Sequence, residues 1–120
     1  MIAAGIGCRR LCPADRIVVL VRQAVASLGR PVEALAAPAF KRGEPGLLEA
    51  AAILGLPLHF VEQAGLAAVQ ALCPTRSEAA LRAFGVASVA EGAALAVGGP
   101  PLLLVRFGGD GATCAVAGGA

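Results

Sequence analysis

The chain holds 120 residues, with 10 Lys or Arg against 8 Asp or Glu, a formal charge of +2 and 58% hydrophobic residues. That length fits one domain with its own core, spanning residues 1–120. The weak charge, the four scattered phenylalanines and the lack of Trp and Tyr exclude the basic stripe and the stacked aromatic platform of a nucleic-acid binder. The apolar run 92–105 is too short to cross a membrane and is broken by Gly98-Gly99-Pro100-Pro101.

Residues 2–7 predict an apolar strand that runs into a glycine turn, Gly5-Ile6-Gly7-Cys8-Arg9-Arg10. Residues 13–28 place Ile17, Leu20, Val21, Ala24, Val25 and Leu28 at helical spacing, with Pro13 at the start, Asp15 just inside and Gly29 at the end. Residues 32–37 read as a second strand stopped by Pro38. A polar loop, Phe40-Lys41-Arg42-Gly43-Glu44-Pro45-Gly46, leads into a helix over 46–54 with Gly55 at its C-cap. A short third strand covers 58–61. Helices follow at 64–71, from a Ser77 cap to 84, and at 88–97, where Ser88-x-x-Glu91 forms a capping box. Strands at 102–107 and 112–117 flank Gly108-Gly109-Asp110-Gly111, a hairpin turn. This order predicts an α/β fold: a three-layer α/β/α sandwich with a mixed sheet, parallel core strands plus a C-terminal β-hairpin.

Open α/β sheets bind ligands beyond the carboxyl ends of their parallel strands. The loops there carry Arg9 and Arg10, then Lys41, Arg42 and Glu44, then Glu62 and Gln63. Several cations and one carboxylate, beside glycine backbone and a helix start, suit a small anion. Simpler roles stand beside that one: solvated surface charge for the arginines, dipole stabilisation for Glu44 and the second half of the capping box for Glu91. Gly5-x-Gly7 is not a dinucleotide fingerprint, because position 10 is Arg and no acidic residue ends the second strand. Cys8, Cys12, Cys73 and Cys114 read as free or buried thiols. Cys8-x3-Cys12 lacks the second pair of a zinc site, so no metal is expected. Cys8, near a helix start and two arginines, is expected to have a lowered pKa. His59, in a strand pattern, reads as a structural or surface residue rather than a base for that thiol. The arginines of the first segment follow its apolar residues, the reverse of a signal peptide, so a cytoplasmic location is expected.

Five segments carry a resemblance in order: Gly5-Ile6-Gly7-Cys8-Arg9-Arg10; Lys41-x-x-Glu44-Pro45-Gly46-Leu47; Leu54-Gly55-Leu56-Pro57-Leu58; Gly85-Val86-x-Ser88-Val89-Ala90-Glu91-x-Ala93-Ala94-Leu95; and Ala112-Thr113-Cys114-Ala115-Val116-Ala117. Through them the chain resembles the CobE family, which is similar to the C-terminal domain of the cobalamin-biosynthesis protein CbiG. The resemblance implies a mixed-sheet α/β domain and a place in corrin-ring synthesis. The larger protein opens a ring lactone of cobalt-precorrin-5A and releases a two-carbon aldehyde. This chain matches its C-terminal part alone, and stand-alone versions belong to the oxygen-dependent route, so the substrate class carries over better than the hydrolase activity. Corrin precursors bear many carboxylates, which Arg9, Arg10 and Lys41 are suited to hold. Leu11-Cys12 stands where the resemblance leads one to expect Gly-Thr, Ala39 where an acidic residue is common, and Arg106 near an expected Lys.

The leading expectation is a cobalamin-biosynthesis protein that binds a corrin or precorrin intermediate, without a cofactor, as a carrier or as a partner of other pathway enzymes. Its ligand residues are Gly5, Gly7, Cys8, Arg9, Arg10 and Lys41, with Ser88 and Thr113 lining the same cleft. A second expectation is a precorrin lactone hydrolase in which Glu44 or Glu91 activates water and the arginines stabilise the oxyanion. A third is an interaction subunit with no ligand of its own, marked by an apolar surface patch.

Overall fold

A computed structural model describes residues 1–119. The apolar periodicities resolve into β1 (Ile2–Cys8), α1 (Ala14–Leu28), β2 (Ala34–Pro38), α2 (Pro45–Leu54), β3 (Leu58–Val61), α3 (Gln63–Ala68), α4 (Glu78–Phe84), α5 (Val89–Gly98), β4 (Leu102–Gly109) and β5 (Ala112–Gly118). The strands form one sheet in the order β3-β2-β1-β5-β4. β1, β2 and β3 run parallel, while β5 lies antiparallel between β1 and β4. The hairpin therefore docks by its second strand, register Ile2 opposite Gly118 through Cys8 opposite Ala112. Asp110 and Gly111 turn it with φ of 53° and 93°, the positive values that a two-residue Asp-Gly hairpin requires. That turn lands beside the carboxyl end of β1.

Helices cover both faces, giving the α/β/α sandwich. Ile2, Ala4 and Ile6 alternate into the core under α1 and α2, where they meet Ile17, Val21 and Leu47. Full burial of each large aliphatic side chain there contributes about 1.5–3 kcal/mol. The opposite face of β1 carries small residues, and α5 lies directly on it. A Cβ at Gly5 would run into the backbone of Ala90 and Ala94, so this glycine sets the approach of helix to sheet. Leu66 of α3, with Val86 and Ala93, closes the layer on that side. No single helix among the described residues is long and apolar enough to cross a membrane.

Three local expectations are corrected. The strand expected over 2–7 forms and runs on to Cys8, so the turn starts after the glycines rather than at them: Gly7 pairs with Thr113 and Cys8 with Ala112. The helix expected over 64–71 stops at Ala68, and Gln70 to Leu72 form a tighter 3-10 turn. The reason is Gln70, whose side chain reaches across to accept from the Ala87 N–H at 2.8 Å and the Ser88 N–H at 3.2 Å. That bond also halves the capping box. Ser88 Oγ accepts from the Glu91 N–H at 3.3 Å, but the Ser88 N–H already belongs to Gln70, so the Glu91 carboxylate turns elsewhere.

Candidate functional site

The carboxyl ends of β1, β2 and β3 and the Asp110-Gly111 turn meet at one edge of the sheet. The loop after β1 is tied down from both sides. The Arg9 N–H donates to the Gly111 carbonyl at 2.7 Å, and the Arg9 side chain lies across Gly111. Leu11 adopts a left-handed φ of 61°, and its N–H donates to Glu44 Oε2 at 2.8 Å. Glu44, immediately before α2, thus bridges the first and second loops.

The charges divide into engaged and free. Arg42 pairs with Glu62 at 3.0 Å and its guanidinium lies 5.5 Å from the centre of the Phe60 ring. Arg16 pairs with Asp110 at 3.4 Å, beside a groove of about 460 Å³ between α1 and the end of β4. Arg9, Arg10 and Lys41 make no salt bridge among the described residues. Gly7, Cys8, Arg9, Gly111 and Thr113 line a shallow open cavity of about 250 Å³. Thr113 Oγ1 lies 3.4 Å from the Gly7 carbonyl, to which it donates. A Cβ at Gly7 would stand 2.8 Å from that hydroxyl, so glycine keeps this corner open.

Cys8 departs from expectation. Its thiol is pushed up to about 11, first by burial; Lys41 pulls it down, and Cys12 and Glu44 add to the rise. The side chain follows the even-numbered face of β1 and packs against the α1–α2 core, so burial outweighs the nearby cation. At neutral pH Cys8 is a thiol, not a nucleophilic thiolate.

Gly5, Ser88 and Glu91 do not open onto the cleft. Gly5 is covered by α5, and Ser88 and Glu91 are 1% and 0% exposed. The Glu91 carboxylate accepts from the Thr75 N–H at 3.0 Å, the Thr75 hydroxyl at 2.7 Å and the Arg106 N–H at 2.9 Å. Burial works to raise its pKa, but the hydrogen bonds from Arg106, Thr75 and Ser88 outweigh that and hold the carboxyl below its ordinary value. It joins α5, the segment before α4 and the bulged strand β4. The structure thus gathers Gly7, Cys8, Arg9, Arg10, Lys41, Glu44 and Thr113 at the edge and leaves the other three beneath it. Sequence patterns missed Thr75 and Gln70, whose partners lie 16 to 18 residues away. Among the described residues no three His, Cys, Asp or Glu side chains gather as a metal ion needs.

Residues 2–117 match the family model of the cobalamin synthesis G C-terminus. The chain is similar to Protein CobE of Sinorhizobium sp, 35% identical over 107 residues that make up 84% of this chain and 68% of that protein. Two solved structures share its fold. One is CobE, a protein from the cobalamin (vitamin B12) biosynthetic pathway, with 38% identity over 98% of this chain and 89% of the other and a TM-score of 0.90. The second is the cobalamin biosynthesis protein chiG from Agrobacterium tumefaciens str. C58, with 35% identity over 100% and 99% and a TM-score of 0.78.

Proposed function

Since the chain belongs to the family of the cobalamin synthesis G C-terminus, and so to cobalamin biosynthesis, we propose that it binds a carboxylate-rich corrin or precorrin intermediate in the cytoplasm and hands it between pathway enzymes. The observation that carries this is the set of three cations at the strand ends, Arg9, Arg10 and Lys41, without a salt-bridge partner among the described residues. Two carboxylates of the neighbouring loops are engaged: Glu62 with Arg42 and Glu44 with the Leu11 N–H. A charge-assisted hydrogen bond contributes about 1.5–3 kcal/mol. Two or three to ligand carboxylates supply much of the roughly 8 kcal/mol that micromolar binding needs. Guanidinium groups add bidentate geometry for planar carboxylates.

Binding without turnover is favoured by what the edge lacks. Cys8 is protonated near neutrality because its thiol is pushed up to about 11, and Glu91 is 0% exposed. Glu44 remains as the base that a lactone hydrolase would require, and one of its oxygens already holds the first loop.

The test is affinity for a cobalt-free corrin in the variant Arg9→Ala/Arg10→Ala. Binding should weaken at least tenfold and lose most of its salt dependence. Unchanged affinity would remove the arginines from the site. Turnover of a lactone-bearing precorrin, lost in Glu44→Gln, would establish the hydrolase instead.

A further inference from the structure

The same edge carries an apolar feature that the cations do not explain. Phe40 and Phe84 stack with their ring centres 4.5 Å apart and their planes 17° from parallel, yet they remain 48% and 38% exposed. They join opposite layers of the sandwich. Phe40 lies in the 3-10 turn after β2, and Phe84 ends α4. α4 itself buries none of its residues. It is tethered at its ends, by the Ser77 N–H to the Ala87 carbonyl at 2.8 Å and by Gln63 Nε2 to the Phe84 carbonyl at 2.7 Å. The helix is thus carried by its tethers and by the ring stack, not by a core of its own.

The surroundings of the rings say what would cover them. Lys41 follows Phe40 directly in the chain and makes no salt bridge among the described residues. Lys41 ends the turn that follows β2, and Arg9 and Arg10 lie in the loop that follows the neighbouring strand β1. β2 and β1 are neighbours in the sheet, one spacing or about 5 Å apart. An exposed aromatic pair beside a cation without a salt-bridge partner among the described residues complements an anion with an apolar ring face and carboxylates at its rim.

We propose that the Phe40–Phe84 stack is the docking wall for the ring face of such a ligand, with Lys41 holding a rim carboxylate. This rests on the anion-binding role of the cleft proposed above, and it adds that the ligand must present a broad apolar face. A flexible aliphatic polycarboxylate would meet the cations and gain nothing from the rings.

The probe is 1-anilinonaphthalene-8-sulfonate, an aromatic anion that fluoresces when bound, titrated in parallel with a cobalt-free corrin. The dye should bind the wild type saturably, at least fivefold more weakly in Phe40→Ala/Phe84→Ala and at least threefold more weakly in Lys41→Ala. Equal dye affinity in the phenylalanine variant, or no dye binding to the wild type, overturns the wall. Should the double variant lose its circular dichroism, Phe84→Leu decides: it keeps an apolar side chain without a flat ring, and weakened binding supports the wall while equal binding overturns it. The parallel titration separates the two proposals. The dye pattern without corrin binding keeps the wall and removes the corrin. Corrin binding that ignores the phenylalanines keeps the corrin and removes the wall.

Discussion

Thr75 clasps the buried carboxylate of Glu91 twice, through its hydroxyl at 2.7 Å and its N–H at 3.0 Å. The contact fixes the segment that leads into α4 onto the first turn of α5, while the Arg106 N–H on the same carboxylate draws in β4. Because these hydrogen bonds hold the Glu91 pKa below its ordinary value, ionised Glu91 stabilises the fold. That contribution is complete above the ordinary carboxylate pKa and is lost as pH falls through the lowered folded value. Glu91→Gln should therefore cost about 1.5–3 kcal/mol near pH 7. The gap to wild type in urea melts should narrow as pH drops below 4.5, the unperturbed value. A gap that widens with acid contradicts the sign.

Leu11 has the opposite character: its left-handed φ of 61° is strained for a residue with a Cβ, by roughly 1–2 kcal/mol. The side chain is 70% exposed, so little packing compensates. Replacing it with glycine removes the strain but adds about 0.5–1 kcal/mol of chain entropy. Leu11→Gly should raise stability by about 0.5–1 kcal/mol, read as a higher urea midpoint at unchanged slope. A lower midpoint contradicts the strain.

The contact of α5 with the sheet predicts a contrast between two glycines. A Cβ at Gly5 would collide with the Ala90 and Ala94 backbone, whereas one at Gly43 meets nothing within 4 Å. Gly5→Ala should cost about 1–3 kcal/mol, the range for overpacking, because a helix backbone cannot rotate away as a side chain can. Gly43→Ala should stay within about 0.5 kcal/mol of wild type. Paired thermal melts settle it, and equal effects would contradict the close approach.

Cys8 should alkylate slowly. With its thiol pushed up to about 11, roughly one molecule in a thousand is thiolate at pH 8. Iodoacetamide labelling of the native protein, followed by mass spectrometry at that residue, should quicken about tenfold per pH unit through pH 10. A rate that levels off near pH 7 would mark an activated thiol and contradict the burial argument.

The extent of each long helix was legible because α1 and α2 combine helical apolar spacing with a glycine in the left-handed C-cap, Gly29 and Gly55 at φ of 65° and 67°. The hairpin was legible from its Asp-Gly turn. The orientation of Cys8 is written in the period of two that places it with Ile2, Ala4 and Ile6 against the core, and burial there outweighs the helix-start electrostatics. What could not be read was set by distant partners. Glu44 meets Leu11 across 33 positions, and Gln70 takes the Ser88 N–H across 18, which turns Glu91 from its capping partner to Thr75. Local patterns named Ser88 and Glu91 correctly as helix-start residues, but nothing local shows that they lie beneath the cleft. The exposed stack of Phe40 on Phe84 likewise joins the turn after β2 to the end of α4.

The central claim is ligand class, and the most direct test is a visible-absorbance titration of the protein with a cobalt-free corrin such as hydrogenobyrinic acid. Corrins are coloured, so binding reports itself as a spectral shift and as pigment eluting with the protein on a sizing column. Three free cations at the strand ends predict saturable micromolar binding that weakens as salt is added. A spectrum that does not change, with pigment and protein eluting apart at low salt, would contradict the account.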